Sequence, residues 1–103
     1  RVSIDLTQLP QGMIEIALNG NAFSGRIDLL SLPPKLMSLD LEYNTLCGEV
    51  DLWNLPSKME YLSLSSNMFY GTLDLTRLPS EMKELFLSNN AFHGSLNTWS
   101  APT

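Results

Sequence analysis

The sequence predicts a repeat solenoid: short parallel strands stacked into one sheet, with loops, short strands and at most brief 3₁₀ turns returning on the opposite side. Three observations predict it. Leu-Pro recurs at 9, 32, 55 and 78 and divides the chain into four gapless segments of 23 residues, 9–31, 32–54, 55–77 and 78–100. Laid on one another, these segments put Asn21, Asn44, Asn67 and Asn90 in one column and Gly25, Gly48, Gly71 and Gly94 in another, with Phe23, Leu46, Phe69 and Phe92 in a third. Ahead of each asparagine, apolar and polar residues alternate, as in Leu39-Asp40-Leu41. A fixed period of this length marks units that cannot bury an apolar face alone and must stack to do so.

The organisation follows from the same alignment. The chain reads as a single array over 1–103, with a partial repeat at 1–8, the four repeats, and a stub at 101–103. Ile4-Asp5-Leu6 matches Ile27-Asp28-Leu29, and Ala101-Pro102 stands where another Leu-Pro would fall. Neither end resembles a dedicated cap, so the terminal repeats are expected to present apolar flanks to further repeats or to another copy, end to end.

Each element has a reason. Alternation with a period of two is the pattern of a strand with one buried face. Strands that recur once per repeat, with the chain returning between them, are parallel. Ile16, Leu18, Leu39, Leu41, Leu62, Leu64, Leu85 and Leu87 are expected to stack inward, with Met13, Leu36, Met59 and Met82 as a further spine. Ile27, Val50, Leu73 and Leu96 form another, where Ile-Asp-Leu reads as a short second strand. The asparagine amide can bond backbone on its own coil and on the next one, through its donors and acceptor. The glycines suit a bend with positive φ. The proline fixes φ and disfavours helix in the leucine before it.

The motif L-x-x-L-x-L-x-x-N-x-F/L, present as Leu36-x-x-Leu39-x-Leu41-x-x-Asn44-x-Leu46 and Met59-x-x-Leu62-x-Leu64-x-x-Asn67-x-Phe69, resembles the leucine-rich repeat signature. The resemblance covers essentially the whole chain. The tail G-x-I/V/L-D-L-x-x-L-P is similar in plan to the plant-type class, with Asp where that class has proline. The wording is also similar to leucine-rich repeat proteins of trypanosomatid protozoa. The resemblance implies a leucine-rich repeat solenoid with its parallel sheet on the concave face, a backbone-bonding role for the asparagines, and a non-enzymatic function.

Composition narrows the function classes. With 44% hydrophobic and 17% charged residues, the chain is ordinary for a folded domain. A net charge of −5 and the lack of any basic run argue against nucleic acid and anionic membranes as partners. No apolar run approaches a membrane span. One cysteine, no leader-like opening and no Asn-X-Ser/Thr acceptor lean toward an intracellular setting.

Catalytic, cofactor and metal sites are not expected. His93 has no partner at a suggestive spacing and reads as a loop residue; Cys47, in the same column, reads as a small, partly buried thiol. Asp5, Asp28, Asp51 and Asp74 supply one carboxylate per repeat. Calcium needs several converging oxygens, so these aspartates read as turn caps. Asp40 and Glu42 could be weighed as a hydrolytic pair, but no third catalytic group accompanies them.

The outward strand positions remain, and the fold does not dictate them. Their columns are Glu15, Ser38, Tyr61, Glu84; Ala17, Asp40, Ser63, Phe86; Asn19, Glu42, Ser65, Ser88; and Gly20, Tyr43, Ser66, Asn89. Aromatics amid small polar residues and carboxylates suit an interface with a basic protein. The expected function is a protein-interaction scaffold binding through Glu15, Asp40, Glu42, Tyr43, Tyr61, Glu84 and Phe86. The alternative is a structural spacer or self-associating segment with no specific ligand on this face.

Overall fold

The computed structural model describes residues 3–92. Within them lie eight short strands: β1 (Glu15–Ala17), β2 (Ser24–Gly25), β3 (Ser38–Asp40), β4 (Thr45–Gly48), β5 (Tyr61–Ser63), β6 (Met68–Gly71), β7 (Glu84–Phe86) and β8 (Ala91–Phe92). They form two parallel sheets, ordered β1-β3-β5-β7 and β2-β4-β6-β8. About three coils separate the first strand of each sheet from the last, and no helix occurs among the described residues. The fold is a parallel-strand β-solenoid with the 23-residue spacing of the sequence.

The first sheet keeps the repeat register. Glu15 pairs with Ser38, Ser38 with Tyr61, and Tyr61 with Glu84. Equivalent side chains therefore stack directly over one another. Bonding between coils continues past the strands, through Leu41 N to Ser63 O at 3.0 Å and Ser66 N to Ser88 O at 2.9 Å. Leu36, Leu39, Leu41, Leu46, Met59, Leu62, Leu64 and Phe69 are wholly buried, which places the core in the two middle repeats. Met13, Leu18, Leu85 and Leu87 at the outer coils are only partly buried.

The second sheet is a correction to the sequence reading. The short strand expected at Ile27-Asp28-Leu29 is not there. The strands lie just after the asparagine column, and their register differs from the repeat: Ser24 pairs with Thr45 and Cys47 with Met68, each 21 positions on. Equivalent residues in this sheet are therefore displaced by two positions from coil to coil. The Ile-Asp-Leu segments follow a local preference instead. Asp28 Oδ1 accepts the Leu30 N–H at 2.8 Å, and Asp74 Oδ1 accepts that of Thr76 at 2.9 Å. An aspartate that bonds the backbone two residues on withdraws it from a strand ladder. The turn-cap reading of these aspartates is therefore supported at Asp28 and Asp74, and also at Asp5, which accepts the Thr7 N–H at 2.9 Å.

The asparagines join each coil to the one before it, where the sequence reading pointed to the one after. Asn67 Nδ2 donates to Leu64 O and Ser65 O on its own coil, both at 3.2 Å, and to Leu41 O at 2.9 Å on the preceding coil. Its Oδ1 accepts the Leu46 N–H at 3.1 Å. Asn44 repeats this pattern with Leu18 O and Phe23 N, and Asn90 with Leu64 O and Phe69 N. Asn21 bonds Leu18 O and Asn19 O on its own coil.

The prolines open each coil with a tight turn, in which Leu36 N reaches Pro33 O and Met59 N reaches Pro56 O, both at 3.1 Å. The glycine column closes β4 and β6 with positive φ, +96° at Gly48 and +95° at Gly71. A Cβ at Gly71 would stand 3.0 Å from Glu49 Cγ. Gly71→Ala is expected to destabilise by about 1–3 kcal/mol, because an L-residue is strained there and the Glu49 side chain must also move. Gly12→Ala, where a Cβ meets nothing within 4 Å, is expected to change stability by no more than about 0.5 kcal/mol. Urea unfolding midpoints of the two variants check the difference. Gly94, Leu96 and His93, with the stub at 101–103, lie outside the described residues.

Candidate functional site

The first sheet turns one side to the core and the other outward. Because its register is direct, the outward side carries ordered rows. Glu15, Ser38, Tyr61 and Glu84 form one row, and Ala17, Asp40, Ser63 and Phe86 the next. Tyr61 and Phe86 are diagonal neighbours on adjacent strands, within reach for aromatic side chains. Their ring centroids lie 5.7 Å apart with the planes tilted by 55°. Phe86 is 42% exposed.

Carboxylates surround this pair. Asp40 Oδ1 accepts the Glu42 N–H at 3.0 Å, which fixes the chain where it leaves β3. The Ser63 hydroxyl donates to Glu42 Oε2 at 2.8 Å and draws that carboxylate toward β5. Burial, then the Asp40 carboxylate, then Glu42, push the Tyr61 phenol above its ordinary value of 10.0. The nearby Ser63 hydroxyl opposes them, and Glu84 adds a smaller upward push. Asp40, Glu42, Tyr61, Glu84 and Phe86 are thus one cluster.

The remaining candidates stand apart from it. Glu15 is exposed on β1, at the edge of the sheet. Tyr43 is 63% exposed but is not a strand residue. It occupies a left-handed turn, φ 57°, as do Ser66 and Asn89 at 58° and Gly20 at 70°. The presence of Gly20 and Asn89 in that column was the available signal, since both residue types tolerate this conformation. Two further positions read as outward are buried. Ser63 is wholly covered and Ser65 nearly so, and their hydroxyls are engaged by Glu42 and Ser88.

The Tyr61 shift has a measurable consequence. In a Tyr43→Phe/Tyr70→Phe background, phenolate absorbance is expected to report half-ionisation of Tyr61 above pH 10.0. Adding Asp40→Asn and Glu42→Gln is expected to move that midpoint down. A folded-state value raised above the unfolded one favours the neutral phenol in the folded protein. The stability this contributes is complete below the unfolded value and is lost as pH rises through the folded one. A midpoint indifferent to both carboxylate replacements would contradict the cluster.

Sequence reasoning passed over three other exposed side chains. Trp53, 52% exposed, borders a shallow groove of about 360 Å³ with Asp51, Asp74 and Arg77. Met68 and Tyr70 are exposed on β6, beside the half-buried thiol of Cys47 on β4. The column Leu30, Trp53, Thr76, Trp99 held the signal for the first of these. Among the described residues, no group of three or more His, Cys, Asp or Glu side chains could hold a metal ion. No helix among them is long and apolar enough to cross a membrane. No protein-family model, curated protein or solved structure matches the chain.

Proposed function

We propose that the chain is a leucine-rich repeat array whose first sheet lines a concave face and serves as a non-enzymatic scaffold for a basic protein partner. One observation carries this reading. The outward face bears a partly exposed aromatic pair beside Asp40, Glu42 and Glu84, and none of the six Lys and Arg residues stands in its columns. The ion pair formed among the described residues, Lys83 Nζ to Glu60 Oε1 at 3.5 Å, involves the column ahead of the strands. Aromatic anchors within a field of one sign are the usual makings of a steered interface. Glu15 and Tyr43 extend it at the rim.

The test begins with a photo-crosslinking residue at Ser88, on this face, and a control at Trp53, away from it. A partner captured from Ser88 alone is purified, and its affinity is measured for Tyr61→Ala/Phe86→Ala. The double variant is expected to bind about 30-fold or more weakly, the loss of a hot-spot pair, while the array stays folded with a cooperative unfolding transition. Undiminished affinity would remove the site from this face. A second reading, a spacer or self-associating segment, is favoured by the outer strands. Among the described residues β1 and β7 each have a neighbour on one side only. Concentration-dependent light scattering, with no partner captured from either position, would support it.

A further inference from the structure

We propose that the Tyr61–Phe86 ring pair, with Asp40 and Glu42 beside it, is a receptor for a single guanidinium group, so that the partner presents an arginine to this sheet. The inference rests on the basic-partner reading and narrows it to one side chain. The rings supply the first part of the argument. Tilted by 55° at 5.7 Å, they offer π-surface whose negative faces attract a cation. A planar guanidinium stacks on such a face and still directs its N–H groups sideways, whereas an ammonium is a compact, strongly hydrated point charge.

The carboxylates supply the second part. One oxygen of each is engaged: Asp40 Oδ1 by the Glu42 N–H, and Glu42 Oε2 by the Ser63 hydroxyl. An ionised carboxylate has about four lone-pair sites, so each retains acceptor capacity. Both are held by backbone or by a buried serine, and less side-chain freedom is lost when a forked donor arrives. Glu84, paired across from Tyr61 in the sheet register, adds negative charge on the other flank. Repelled like charges gathered on one face gain most from a cation that reaches between them. The Tyr61 phenol is raised first by burial and then by Asp40 and Glu42, and the second part of that push agrees with this crowding of carboxylates around the ring.

Three otherwise identical short peptides test the inference, bearing one arginine, one lysine or one citrulline. Binding is read by nitrogen–proton chemical shifts of the folded chain. The arginine peptide is expected to shift the amides of 61–65 and 84–88 saturably and to bind about threefold or more tightly than the lysine peptide. Citrulline, which keeps the planar shape without the charge, is expected to leave them unmoved. Phe86→Leu, at a partly exposed position where folding is little affected, is expected to abolish the preference for arginine. Equal binding of arginine and lysine overturns the guanidinium receptor but leaves the basic-partner reading standing. Citrulline binding as well as arginine overturns both the receptor and the charge argument. Shifts confined to other parts of the chain overturn the receptor, and the crosslinking experiment then decides the face independently.

Discussion

Asn67→Ala is expected to destabilise the protein by about 3–5 kcal/mol. The amide has four backbone partners, and two of them, Leu41 O and Leu46 N, belong to the preceding coil. Leu41 and Leu46 are wholly buried and Asn67 is only 8% exposed, so water does not readily replace the lost bonds. Alanine strands the Leu46 N–H, at a cost of about 1–3 kcal/mol, and takes from three carbonyls, each of which keeps a second donor, a bond worth about 0.5–1.5 kcal/mol. Asn21→Ala is the matched control. Asn21 is exposed and bonds only its own coil, and its loss is expected to cost about 0.5 kcal/mol or less. Asn67→Asp is expected to be as damaging as alanine, because a carboxylate oxygen would replace the donor that faces three carbonyls. Urea unfolding of the three variants measures the series. Equal midpoints for Asn67→Ala and Asn21→Ala would deny that the amide joins coils.

Phe69→Ala is expected to cost a similar amount, about 3–5 kcal/mol, by a different route. The ring is the largest wholly buried side chain, and it stacks on Phe92 with centroids 6.3 Å apart and planes within 12°. Removing it opens a cavity between coils that neighbouring leucines cannot close without leaving their own columns. The preceding coil offers an internal comparison, because Leu46 fills the same position and is also fully buried. Phe69→Leu is therefore expected to cost less than about 1.5 kcal/mol, as hydrophobic exchanges that nearly preserve volume do. Thermal and urea unfolding of both variants check the ranking. An alanine variant as stable as the leucine one would show that the column carries no packing.

The first sheet was legible in the sequence because its information is periodic. A strand that repeats every 23 residues with a strict inside-outside alternation leaves one register, and Glu15 to Ser38 to Tyr61 to Glu84 is that register. The glycine column was legible for a related reason: Gly25, Gly48 and Gly71 all adopt positive φ. The second sheet was not. Its strands read Ser-Gly, Thr-Leu-Cys-Gly, Met-Phe-Tyr-Gly and Ala-Phe, too short and too mixed to show alternation. Ile-Asp-Leu showed a cleaner pattern, but the aspartate's bond to its own backbone decided the outcome. The candidate site was legible as a set of columns and not as a surface. Columns name the residues that share a face. They do not say that Ser63 disappears beneath its neighbours, or that Tyr43 leaves the strand for a left-handed turn.

The asparagine bonds also give the coil a direction. Leu46 N waits for Asn67, and Phe23 N waits for Asn44, each partner arriving 21 residues later in the chain. Among the described residues each coil's peptide groups are completed by its successor, and joining the two needs nothing from the coil beyond. A polypeptide emerging amino end first can therefore seal every loop as the following one is made, so that assembly can keep pace with synthesis.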